Sequence, residues 1–218
     1  NFMGLGDAKH VFERIRSELC AADAVISNLE CCFFADESKA NNQSCTGHFY
    51  ERSGQREGFY AHPAAVKALK SANITMVGNA NNTNFGDEAI RSTISVLNDQ
   101  QIAFSGVGTN WEEACKPALK TIHGIRVGLI QRTSVYWPSN HEASALHPGV
   151  ATVKIHTAYS PKIDGYASNR PGTPPDIFTW VDSKYLKDLV TQIEKLRGST
   201  DILIASFHWG YKEEILDY

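Results

Sequence analysis

The chain predicts an α/β fold built in layers, and three observations carry that prediction. Apolar residues at helical spacing alternate with short apolar runs of strand length along most of the 218 residues, the alternation that produces helices packed on a sheet. Three of those runs stop in short polar side chains: Ile74-Thr75-Met76-Val77 leads into Gly78-Asn79-Ala80-Asn81-Asn82, Ala24-Val25-Ile26-Ser27 into Asn28-Leu29-Glu30, and Ile202-Leu203-Ile204-Ala205-Ser206-Phe207 into His208-Trp209-Gly210. Strands that end this way set functional groups at the carboxyl edge of a sheet, where open α/β sheets bind their ligands. Third, an apolar content of 42% with 21% charged residues is that of an ordinary globule, with enough length for one domain and a proper core.

The elements follow in order. Val11, Phe12, Ile15, Leu19 and Cys20 form a helical stripe leading into the strand at 24–27. Residues 31–60 are polar, with Asn41-Asn42-Gln43-Ser44 and Gly47, Gly54 and Gly58, and read as a long surface loop. Pro63 stands where a helix starts, and residues 64–71 feed the strand at Ile74. A helix over 87–98, a strand over 102–104 and a helical turn over 111–115 come next. Residues 118–122 and 125–130 read as a hairpin turning at His123-Gly124. The stretch 132–180 holds six of the eight prolines and reads as irregular loop. Asp182 caps a last helix to Arg197, and 202–207 is a final buried strand. No segment repeats, and none is of low complexity.

Composition narrows the function. A net charge of -3 gives no pull toward nucleic acid or an anionic membrane. No apolar run approaches the roughly 20 residues that span a bilayer, so no transmembrane segment is expected. Five cysteines, Cys20, Cys31, Cys32, Cys45 and Cys115, are an odd number without zinc-ribbon spacing, which points to reduced thiols and a cytoplasmic setting. The chain opens at Asn1 inside a strand-to-helix turn and stops shortly after His208. It therefore reads as a single domain over residues 1–218, truncated at both ends.

One Glu, one Asn and one His at strand termini make a hard-to-borderline metal site, which marks the chain as a candidate metallohydrolase. Each residue has a plainer role to set beside that one: Glu30 as a solvated loop carboxylate, Asn79 as a turn cap, His208 as a satisfied buried histidine. Cys31 and Cys32 next to hard donors read as small packed thiols.

Asn28-Leu29-Glu30, Gly78-Asn79-Ala80-Asn81 with Asn84-Phe85-Gly86 behind it, and His208-Trp209-Gly210 stand in an order that resembles the CapA/PgsA-type proteins of poly-γ-glutamate capsule synthesis. Gly106-Val107-Gly108 before Trp111-Glu112-Glu113-Ala114, and Pro148-Gly149-Val150-Ala151, extend the likeness over nearly the whole chain. That family belongs to the calcineurin-like metallophosphoesterase superfamily. The resemblance implies a layered β-sandwich flanked by helices, with two divalent ions (Mn, Fe, Zn or similar) at its carboxyl edge. It makes Glu30 a bridging carboxylate, Asn79 an amide-oxygen ligand and His208 an imidazole ligand, with Asn81 and His208 as the residues nearest the chemistry.

Three departures bear on that reading. The Gly-Asp that opens the family pattern and its later His-x-His fall outside this chain. Asn81 stands where the family has a histidine, and an amide donates a hydrogen bond but delivers no proton near neutral pH. The segment 131–142 leaves a strand at the same edge. There Arg132 offers a fork for carboxylate or phosphate, Tyr136 and Trp137 a wall, and His141 a second cation. His48, His62, His123, His147 and His156 lack ligand spacing and read as surface histidines. The expected function is a metal-dependent hydrolase acting on an anionic phosphoester or γ-glutamyl amide. The rival is a non-catalytic subunit that binds an anionic polymer in capsule synthesis or export. The sequence leaves the oligomeric state open.

Overall fold

A computed structural model describes residues 8–35, 46–50, 57–137, 141–162, 170 and 172–210. Two sheets face each other at its centre. In the first, β1 (Val25–Asn28), β5 (Ile74–Gly78) and β6 (Ala103–Ser105) run parallel in the order β1-β5-β6. In the second, β8 (Ala118–Ile122) pairs antiparallel with β9 (Ile125–Thr133), and β9 pairs parallel with β13 (Ile202–His208). Side chains alternate across each strand, and the alternation sorts the core. Ile26, Met76, Leu129 and Ile204 pack between the sheets with Ala118 and Val127. On the outer side of the first sheet, Val25 and Val77 join Leu97 of α3 (Asp87–Asp99) and Val66 of α2 (Val66–Ser71). On the outer side of the second, Ile130 meets Leu189 and Leu196 of α5 (Ser183–Arg197). The order is helices, sheet, sheet, helix, an α/β architecture. No helix among the described residues is long and apolar enough to cross a membrane.

Local chemistry explains the joints. His123 and Gly124 take φ of 49° and 85°, the left-handed pair of a two-residue hairpin turn between β8 and β9. The Asp182 carboxylate accepts from Lys184 N at 2.9 Å and Tyr185 N at 3.4 Å, starting α5. The carboxylate is held below its usual range first by its hydrogen bond to His156. Gly108 lies in β7 (Val107–Gly108), which pairs with β10 (Gly149–Val150) against α4 (Trp111–Ala114). A Cβ on Gly108 would stand 2.0 Å from Ala114 N.

Several expectations need correction. Residues 31–60 are not one loop: β2 (Cys32–Phe33), β3 (Thr46–Tyr50) and β4 (Glu57–Ala61) form a sheet in the order β2-β4-β3. Their aromatic residues favour strand more than the interspersed glycines oppose it. Within 132–180, β11 (Ile155–Ser160) and β12 (Asp176–Val181) pair antiparallel; the prolines lie outside both strands. The first helix is split into a 3-10 turn, Ala8–Phe12, and α1 (Arg16–Ala21). Phe12 and Leu19 pack on the core while Val11 and Ile15 are exposed. The final strand is half-exposed, with Ile202 at 50% and Phe207 at 45%, because among the described residues only β9 flanks it. The opening turn at residues 1–6, the tract 41–44, Cys45 and the end of the chain past 210 lie outside the described residues.

The crowding at Gly108 is against backbone, which cannot rotate away. Gly108→Ala should therefore lower stability by about 1–3 kcal/mol. Gly198→Ala, at φ -75° with its nearest contact at 3.6 Å, should leave it unchanged. Thermal unfolding of the two variants checks the pair.

Candidate functional site

At the carboxyl ends of the strands the inner faces turn from apolar to polar within one register step. Two residues beyond Ile26, Met76, Leu129 and Ile204 stand Asn28, Gly78, Gln131 and Ser206. Gln131 bridges them: its Nε2 donates to Asn28 Oδ1 at 3.2 Å and Ser206 Oγ at 3.3 Å, and its Oε1 accepts from Ala80 N at 2.7 Å. Gly78 leaves room for that amide, since a Cβ there would lie 2.4 Å from it. The sequence reading saw Gln131 only as the first residue of a loop segment. The signal it missed was inner-face parity shared with Leu129.

Above this layer the loop after β5 closes on the end of β1. The Leu29 carbonyl accepts from Asn79 Nδ2 at 3.1 Å, Asn81 Nδ2 at 2.9 Å and Asn84 Nδ2 at 3.1 Å. Asn84 Nδ2 also donates to Asn79 O at 2.9 Å. All three asparagines are fully buried. Both polar atoms of Asn81 serve the loop: its Nδ2 donates to Leu29 O and its Oδ1 accepts from Thr83 N and Thr83 Oγ1. Its fully buried side chain shapes the loop. Asn79 differs. Its Nδ2 is spent on Leu29 O, while its buried Oδ1 has no hydrogen-bond partner among the described residues, a position that costs free energy unless another donor or a cation meets it.

Glu30, next to Leu29, is exposed and accepts from Asn28 Nδ2 at 3.4 Å. His208 reaches the same loop, its Nε2 lying 2.9 Å from Asn82 Oδ1. An amide oxygen only accepts, so in the neutral imidazole Nε2 is the protonated nitrogen and Nδ1 carries the lone pair. Hydrogen bonds thus tie the ends of β1, β5 and β13 to one edge. A carboxylate, an orphaned amide oxygen and an imidazole lone pair fit a divalent ion as oxygen and nitrogen donors. Three protein ligands is the complement of one open catalytic ion, and two ions need more. Among the described residues no three His, Cys, Asp or Glu side chains group to hold a metal.

Cys31 and Cys32, next to Glu30, pack into the hydrophobic clusters. Burial pushes the Cys31 thiol up to about 11 and the Cys32 thiol up to about 12. Both therefore stay protonated at neutral pH, as packed thiols should.

The segment after β9 departs from expectation. Arg132 alternates with Gln131 and so points to the opposite face, beneath α5. It is 3% exposed, and its guanidinium donates to Gln131 O at 2.9 Å, Cys115 O at 3.4 Å and Gln192 Oε1. It does not overhang the edge, because strand parity sends it to the wrong side. His141 is fully buried, stacks on Phe85 with centroids 4.5 Å apart, and accepts from Trp137 N at Nδ1. It backs the asparagine loop rather than facing solvent. Tyr136 is half-buried; burial and then Glu142 raise its phenol. Among the described residues, none of these three is joined to Glu30, Asn79 or His208 by a hydrogen bond.

The family of bacterial capsule synthesis proteins, PGA_cap, matches residues 4–217. The chain belongs to that family. It is also similar to a capsule biosynthesis protein, CapA, of Bacillus anthracis, with 21% identity over 203 residues. That match takes in 92% of this chain and 40% of the relative, so the chain spans about two fifths of the relative's length.

Two outcomes follow from these surroundings. Arg132→Ala should cost about 1.5–3 kcal/mol of stability, the worth of a charge-assisted hydrogen bond, in urea unfolding, without needing any substrate to show it. In a Cys45→Ser background at pH 8, a thiol reagent should label exposed Cys20 quickly and reach Cys32 only on unfolding. Fast labelling of Cys32 in the folded chain contradicts the burial assigned to it.

Proposed function

We propose that this chain is the core of a metal-dependent hydrolase of the metallophosphoesterase superfamily with a part in capsule synthesis, acting on an anionic phosphoester or γ-glutamyl amide. The family and the CapA relative support the capsule context. The observation that carries the chemistry is the buried, unpartnered Asn79 Oδ1, on a loop bonded to the carbonyl of Leu29, the residue before Glu30, and to His208 through Asn82. In this reading Asn79 Oδ1, a Glu30 carboxylate oxygen and His208 Nδ1 hold a divalent ion. The bound ion supplies Lewis acidity toward the scissile phosphoryl or acyl oxygen. The chain's own work is to orient those donors. Leu29 O fixes the Asn79 amide so that its oxygen faces away from the donor side, Asn82 Oδ1 sets the His208 tautomer, and Gln131 locks the two sheets beneath them. Such outer partners typically change metal affinity by about 10–100-fold when removed.

The test uses the chain stripped with a chelator and reloaded with Mn²⁺. A ligand present at about 100 times its dissociation constant stabilises by about 2.7 kcal/mol, so unfolding of the wild-type chain should shift upward with metal. His208→Ala should lose that shift, and Asn82→Ala should weaken it. Metal-dependent hydrolysis of a phosphodiester or a γ-glutamyl anilide then separates the hydrolase from a chain that binds an ion and cleaves nothing. No metal-dependent shift in the wild-type chain, or an equal shift in His208→Ala, removes the basis of the reading.

A further inference from the structure

A concavity lies where α4, residues 142–145 and the first turns of α5 meet. It is a cleft of about 270 Å³, and its lining includes Trp111, Glu142, Lys184, Tyr185 and Asp188. The Trp111 and Tyr185 rings meet edge to face, with centroids 5.7 Å apart at 81°, so they form two walls of an aromatic corner. Glu142 stands beside that corner. One of its oxygens, Oε1, accepts from Thr152 Oγ1 at 2.6 Å and from Tyr185 OH. Two hydroxyl donors on one oxygen fix the orientation of the group. The other oxygen, Oε2, has no donor among the described residues. Asp188 sits one turn of α5 beyond Tyr185, and among the described residues neither Asp188 nor Lys184 forms an ion pair.

Each class of small ligand can be weighed against this lining. An anion meets two carboxylates against one lysine. An uncharged apolar ligand strips water from Glu142 Oε2 and returns no hydrogen bond, which is unfavourable. A hard metal ion takes several oxygens and gains nothing from the rings. An alkylammonium ion suits every feature but Lys184, which two carboxylates outweigh: its N–H groups suit Glu142 Oε2 and Asp188, and its charge and adjoining methylenes suit the aromatic faces. We propose that this cleft binds a primary alkylammonium group, carried by a free amine or by a lysine side chain. The site does not depend on the metal reading, because Glu30, Asn79 and His208 belong to the edge between the sheets.

The probe is n-butylammonium chloride, titrated calorimetrically into the metal-stripped chain. Sodium chloride at equal ionic strength and n-butanol are the blanks, and Nα-acetyl-lysine methylamide is a parallel arm that separates a side chain from a free amine. Saturable binding by either amine, absent from both blanks, is the expected result. Glu142→Gln keeps an acceptor for Thr152 and Tyr185 but loses the charge, and should weaken binding by about tenfold or more. Asp188→Asn, on an exposed turn of α5, tests the same charge without touching the buried hydroxyls and should weaken binding in the same direction. Trp111→Leu should weaken it as well. No saturable heat from either amine, the same heat from sodium chloride, or unchanged binding in both Glu142→Gln and Asp188→Asn would overturn the proposal.

Discussion

The carboxyl edge depends on one carbonyl. Leu29 O ends β1 and takes three buried amide donors from the loop that ends β5. A carbonyl oxygen has two lone pairs, so three donors crowd it, and the loop has little freedom in how it can arrange its side chains. Leu29 N donates back to Gly78 O at 2.9 Å, continuing the ladder of the parallel sheet past its last register pair. Glu30 follows directly, so its place relative to Asn79 is set by backbone that cannot drift. The orphaned Asn79 oxygen is a consequence: an amide whose nitrogen is committed to Leu29 has its oxygen turned away from that donor cluster.

A second constraint lies one layer below. Two apolar sheets stack easily, but the change from Met76 and Leu129 to Gly78 and Gln131 brings a buried amide to the end of the core, between exposed Asn28 and half-buried Ser206. Gln131 crosses the gap by joining the loop after β5, the end of β1 and β13. Only a residue without a Cβ at position 78 leaves room for it. Buried polar networks are stable when every member is partnered, and this one couples both sheets to the edge. Movement of one sheet against the other therefore reaches the candidate ligands directly.

Strand parity also divides the two faces of β9. Gln131 goes inward and Arg132 outward, where the guanidinium is used on backbone carbonyls and Gln192 beneath α5. The positive charge that the sequence set over the edge is thus a packing group of the outer layer. Residues 142–145 and the first turns of α5 make a cleft whose charges are mainly negative.

By itself, the sequence determined the parallel strands with their polar ends, the hairpin at His123-Gly124, the Asp182 cap and the family. Each of these is local: a run of apolar residues, a turn dipeptide or a short motif carries its own signal. It also marked Glu30, Asn79 and His208, because strand ends are visible as the point where apolar residues stop. It misjudged residues 31–60 and 132–180, where strand pairing is made by partners distant in the chain and glycine and proline counts carry little weight. Whether Asn81 or Asn79 keeps a spare polar atom, and whether Arg132 faces the edge or α5, was decided only by the tertiary structure. Those outcomes turn on which buried donor finds which acceptor across 50 or more residues, as in the bonds to Leu29 O. Such pairing is a property of packed layers, and a side chain's identity does not specify it.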